Sequence, residues 1–236
     1  MRHLSALAIL ILSSLPAHAQ GMGGLDQAAG GVGQNAITML VLLSLLSLAP
    51  AMVITVTCFP FIVTVLSILR QSIGLQQSPP NMLIVSLSLM LTWFVMQPVI
   101  ADVWMLAGQP LRDGLITMEE AIARGTPPIR AFIELRTDPG TLATLSEIAP
   151  GEARGSQQLS VLVPAFLISE IQRAFEVGFL IALPFLIIDL VVSAILMSMG
   201  MMMLPPAVVA LPFKLAFFSA VSGWELVANA LVRSYQ

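Results

Sequence analysis

MSMGMMMLPP, residues 197–206, lies between two long apolar runs, and its reading decides how the second half of the chain folds. The runs, Leu159 to Gly200 and Ala207 to Val232, each exceed the roughly 20 residues that a membrane-length helix needs. Pro205 and Pro206 oppose one continuous helix through the stretch, because proline lacks the N–H and pushes the residue before it out of the helical region. The two runs therefore form a helical hairpin, 159–232, with a methionine-rich turn. Methionine is unbranched and adaptable, so the plain reading of the turn is apolar filler at an irregular helix end.

Composition extends this reading to the whole chain. Its 236 residues are 57% hydrophobic and 10% charged, with mean hydropathy +0.93. Soluble domains are about a quarter charged, so the chain belongs with membrane proteins. The formal charge is −3 and no basic tract points to nucleic acid. Arg2 and His3, the apolar stretch Leu4–Leu15 and Ala17-His18-Ala19 read as a signal peptide, residues 1–19, with a mature start at Gln20. An uncleaved first helix is the alternative, but the apolar stretch is short for a span. Cleavage removes both histidines and leaves one cysteine, Cys58, and one lysine, Lys214. An intrachain disulfide, His/Cys zinc sites and histidine-assisted nucleophiles are then excluded. No phosphate-binding glycine loop appears. Neither a cofactor nor an enzymatic activity is expected.

The rest divides by punctuation. Residues 20–36, rich in Gly, Gln and Ala, read as a flexible leader. An uncharged block from Ile37 to Leu69 carries Pro50 and Pro60, which are expected to kink it or divide it into pieces. QSIGLQQSPPN, 71–81, is a turn, with Asn81 as N-cap of a block from Met82 to Ala107. Residues 37–107 make a first hairpin. Residues 108–158 hold five arginines (Arg112, Arg124, Arg130, Arg136 and Arg154) and read as a small helical domain with a linker from 149. There Thr117–Glu120 is a capping box. Gly125, Pro127 and Pro128 are expected to end that helix and start another. Asp138-Pro139-Gly140 is expected to be a turn. Residues 233–236 are a tail. The fold class is all-α and membrane-associated: two long kinked hairpins with a small helical insert. The signal peptide directs the insert to the periplasmic side, against its arginines and the positive-inside rule.

Several charges interrupt the apolar runs: Glu170, Arg173, Glu176, Asp189 and Lys214. A charge at a bilayer centre costs about 2.5–3.5 kcal/mol on insertion scales, so these side chains face protein or water. Arg173 is three residues from both Glu170 and Glu176 and can pair locally with either. Lys214 has no local partner, so a buried Glu170–Lys214 ion pair is expected, between hairpins or between subunits. The alternative is that Glu170 pairs with Arg173 while Lys214 snorkels. Glu170, Glu176 and Asp189 also leave open a proton- or ion-coupled transporter.

LRQSIGLQQSPPN (69–81), LTWFVMQPV (91–99), PAFLISEIQRAFEVGF (164–179), PFLIIDLVVSAILMSMGMMMLPP (184–206) and LPFKLAFF (211–218) together resemble the FliP family of flagellar biosynthesis proteins. The injectisome counterpart, SctR, is similar. The resemblance implies a non-enzymatic core subunit of the type III export gate, at the flagellar basal body in the bacterial inner membrane. It implies a pentamer-like homo-oligomer that forms a closed helical cone with FliQ and FliR, alongside FlhB and FlhA, and passes exported flagellar proteins. In such a cone the hairpins are lifted toward the periplasm, which accommodates the awkward charges and prolines. The family's methionine loop lines the pore, so Met199, Met201, Met202 and Met203 are the implied channel gate. Three positions depart from the family pattern: Phe61 stands in place of arginine, Ser222 in place of aspartate, and Glu176 in place of a neutral or basic residue.

Overall fold

The computed structural model describes residues 39–41, 43–44, 47–48, 51–75, 79–150, 158–201 and 203–235. The expected signal peptide, leader and cleavage site, the centre of the 71–81 turn, most of the 149–158 linker, and Met202 lie outside the described residues. Residues 1–50 and 51–236 are separate compact units. The described part of the first is helical, with the Ser44 and Ser47 hydroxyls donating to the Leu40 and Ser44 carbonyls at 2.8 Å.

The second unit is all-helical among its described residues. In chain order its elements are α1 (Phe59–Ile73), α2 (Asn81–Val103), a π-helical turn (Trp104–Gly108), α3 (Gln109–Arg112), α4 (Met118–Arg136), α5 (Pro139–Ile148), α6 (Leu159–Ser198), α7 (Pro206–Ala220) and α8 (Gly223–Arg233). Asn81–Arg112 and Leu159–Ser198 are long and apolar enough to cross a membrane, and α7 with α8 would suffice as one bent pair.

Pro60 divides the first block, as expected, by starting a helix of its own. It occupies the first turn of α1, where its missing N–H is not needed. Gly74 ends α1 at φ 90°, a conformation that suits glycine. Asn81 does not cap α2: Pro80 holds the N-cap position, and the Asn81 side chain instead accepts from Arg70, tying the two arms of the hairpin together. The second block also runs past Ala107. The π-turn keeps the chain helical to Arg112, so the insert begins later than its composition suggests. There Gly108 lies beneath the Trp104 ring, where an added Cβ would come within 2.4 Å.

Three further expectations are corrected. The Thr117 capping box forms, but α4 continues through Gly125, Pro127 and Pro128. The prolines free the carbonyls of Ala123 and Arg124, both exposed to solvent, which limits the penalty. Continuing the helix carries Ile129, Phe132 and Ile133 into a cluster with Leu162 and Phe166. Asp138-Pro139-Gly140 is a helix start: the Asp138 carboxylate accepts from the Thr141 N–H at 2.7 Å, with Pro139 in the first turn of α5. The last apolar block is two helices bent by 62°, broken at Ser222, whose φ is 50°. Gly223 follows because a Cβ there would meet the Phe218 ring at 2.1 Å.

α6 runs 40 residues without a break, through Pro164 and Pro184. It packs along α1, whose fully buried face is Phe61, Ile62, Val65, Leu66 and Leu69. Gly178 sets the spacing, since an added Cβ would sit 2.5 Å from Ile68 Cδ1. Gly178→Ala should destabilise the detergent-solubilised protein by ~1–3 kcal/mol through overpacking. Ile68→Ala in the same chain should recover part of that loss, and simple addition of the two in thermal unfolding would disprove the contact.

The Thr141 N–H holds the Asp138 carboxyl below the usual aspartate range, with the Thr141 hydroxyl adding to it. A depressed carboxylate stabilises above its unfolded pKa, and the effect is lost as pH falls through the folded value. The Thr141 amide should therefore exchange faster with solvent on acidification below pH ~4 than base-catalysed exchange predicts. Asp138→Ala should abolish that pH dependence.

Candidate functional site

α6 ends in a tight cap that presents the methionines. The Met201 N–H donates to the Leu196 carbonyl at 3.0 Å and the Gly200 N–H to Met197 at 3.1 Å, with Gly200 at φ 74°. This pair of bonds is a Schellman motif, which requires a left-handed residue just past the helix end. Gly200 therefore stops α6 before the prolines act, and Pro206 opens the first turn of α7. Of the described methionines around this break, Met203 is 99% exposed and Met199 65%, while Met201 is 37% exposed. Met199 and Met201 border an apolar groove of about 500 Å³, walled by Ile187, Val191, Ile195 and Phe213. Sequence reading credits the prolines with ending α6; a glycine just after a periodic apolar run was the available signal for Gly200.

The charges form two clamps on α6. Glu170 is fully buried and takes Arg136 Nε on Oε1 at 3.2 Å, while the Tyr235 hydroxyl donates to Oε2. Lys214 is 6% exposed and donates to Asp189 Oδ2 at 2.6 Å and to the Ser72 carbonyl at 3.0 Å. Ser72 lies in the last turn of α1, so the ammonium also meets the negative end of that helix.

The expected Glu170–Lys214 pair is therefore not formed within the chain. Glu170 and Asp189 are separated along α6 by about 28 Å at 1.5 Å per residue, and each takes its own cation. The local pairing of Arg173 with Glu170 or Glu176 is absent too. Among the described residues the ion pairs are Arg112–Asp113, Arg130–Glu134, Arg136–Glu170 and Lys214–Asp189. Arg173 and Glu176 lie on the exposed face of α6, where Glu176 accepts from Gln172 at 3.4 Å. Glu170 itself is fully buried. Sequence reading missed Arg136 and Tyr235 as its partners, and no local signal could have found them, since they lie 34 and 65 residues away. Among the described residues no group of three or more His, Cys, Asp or Glu could hold a metal.

Long apolar helices, charges paired inside the chain and exposed apolar faces define an all-helical, membrane-type protein. The chain belongs to the FliP family, whose profile matches residues 42–231. It is 44% identical to the flagellar biosynthetic protein FliP of Caulobacter vibrioides, over 99% of this chain and 90% of that protein. It is 42% identical to the Bacillus subtilis protein of the same name, over 85% of this chain and 92% of that one. Identity to the Agrobacterium fabrum protein is 41%, over 100% and 99%.

Breaking the buried clamp strands a charge. Arg136→Gln or Glu170→Gln should each cost about 3–5 kcal/mol, and the double variant less than their sum. Lys214→Met and Asp189→Asn should couple more weakly, because Asp189 is 37% exposed. Glu170 and Lys214 variants should add within about 0.5 kcal/mol. Strong coupling between those two in the unfolding of the single subunit would reinstate the sequence-based pair.

Proposed function

We propose that this chain is a non-enzymatic structural subunit of the flagellar type III protein export gate. It forms a homo-oligomeric channel with FliQ- and FliR-type partners in the bacterial inner membrane, next to FlhA and FlhB, and passes flagellar proteins. The insert, α4 and α5, lies on the periplasmic side. Met199, Met201, Met202 and Met203 close the channel at rest. The observation that carries this reading is the methionine loop, projected from a Schellman cap with Met203 almost wholly exposed. A ring of unbranched apolar side chains can exclude water and ions, then deform around an unfolded polypeptide of any sequence. Family membership and relatives named as flagellar biosynthetic proteins support the same role.

A proton- or ion-coupled transporter is the competing reading. Relay carboxylates should be free to exchange protons, yet Glu170 and Asp189 each sit against a cation and Glu176 lies on the outer face. The clamps serve packing better than transport.

Replacing Met201, Met202 and Met203 together by alanine should leave assembly intact, since an exposed loop contributes little to subunit packing. The closed barrier should fail, and cells carrying the variant should take up small solutes and ions at matched complex levels. Leucine at the same positions should keep the seal but slow export. A triple-alanine complex as tight as wild type would mean that these methionines are filler.

A further inference from the structure

Past the end of α8 the chain turns onto a place where it touches three other helices. Arg136 Nη1 donates to the Ser234 carbonyl at 2.8 Å, and the Arg136 guanidinium carbon lies 4.0 Å from the centre of the Tyr235 ring. The same ring stacks on Phe132 of α4 at 6.2 Å and meets Phe61 of α1 edge-on at 5.5 Å. Its hydroxyl donates to Glu170 of α6. Tyr235 thus supplies a donor to a buried carboxylate, a π-face to a buried guanidinium and a wall to two apolar rings.

Each of those groups needs what Tyr235 provides. Glu170 is fully buried, so a carboxylate oxygen without a donor there is costly. Arg136 is 10% exposed and keeps Nη2 without a partner even in the closed arrangement, so it has no contact to spare. A cation over an aromatic face gains most when both are out of water. Arg136 is also the last residue of α4, where the helix hands over to Thr137 and α5. Helix ends open most readily, so the contact falls where α4 would otherwise fray.

We propose that Ser234 and Tyr235 are a clasp that closes the Arg136–Glu170 site and pins the insert to α6 and α1. The clasp spans 98 residues between Arg136 and Ser234. With the clasp open, Glu170 keeps Arg136 alone and the end of α4 becomes accessible; with it closed, α1, α4, α6 and α8 move as one body. This claim concerns the subunit itself and holds whatever the protein transports.

Limited trypsin digestion of the full chain in detergent tests it, because Arg136 is itself a cleavage site hidden by the clasp. Cleavage after Arg136 should be slow in the wild type and about tenfold faster in Tyr235→Ala, since proteolysis tracks the open population. Tyr235→Phe keeps the ring and should give an intermediate rise, about threefold on the same basis. Cleavage after Arg112, whose side chain is 63% exposed, should be unchanged in both. In a Glu170→Ala background cleavage should already be fast, and Tyr235→Phe should add nothing, because its acceptor is gone. If Tyr235→Ala speeds every site alike, Tyr235→Phe decides: a rise confined to Arg136 upholds the clasp, and a uniform rise overturns it. Wild-type rates at Arg136 in both tyrosine variants overturn it as well.

Discussion

A carboxylate with no solvent exposure, set in a long apolar helix, is the constraint on which the rest of the arrangement depends. Glu170 cannot be ionised there without a cation in hydrogen-bond reach, because removing it from water costs several kcal/mol. Arg136 answers that need from the far end of α4. To bring it there, the insert must fold back over α6, and the hydrophobic cluster of Ile133, Leu162 and Phe166 forms beneath the pair. The Asp138 N–H donates to the Ser169 hydroxyl at 2.9 Å one residue away from Glu170, so the link is backbone as well as side chain.

The second clamp works differently. Lys214 joins the end of α1, the last third of α6 and the middle of α7. Buried ion pairs are poor evidence of net stability, since an apolar core of the same shape often does as well. What they impose is geometry. Hydrophobic contacts between long helices tolerate sliding by a turn, whereas a guanidinium at 3.2 Å and an ammonium at 2.6 Å do not. The first clamp ties α4 to α6, the second ties the end of α1 to α6 through Lys214, and Gly178 fixes the α1–α6 spacing. Where apolar surface does little to distinguish one packing from another, charges that are otherwise costly fix which groups meet.

α2 and α6 also leave large apolar side chains exposed. α2 buries only the stripe Ile84, Ser88, Thr92 and Met96 and exposes Met90, Trp93 and Phe94. α6 exposes Phe175, Phe179 and Leu190. Faces of this kind suit lipid or a neighbouring protein surface.

Much of this was legible in residue order. Low charge and long apolar runs dictate helices, because buried backbone groups must then be paired locally. The Thr117 capping box follows from local turn chemistry, which acts over a few residues. Local rules failed wherever distant contacts outweighed them. Pro127 and Pro128 are carried inside α4 because Phe132 and Ile133 must reach the core. The last block bends at Ser222, where Phe218 leaves room only for Gly223. The partners of Glu170 and Lys214 were not legible at all. Spacing along a helix identifies neighbours within one turn, but which distant cation meets a buried carboxylate is settled only when helices far apart in the chain are packed together.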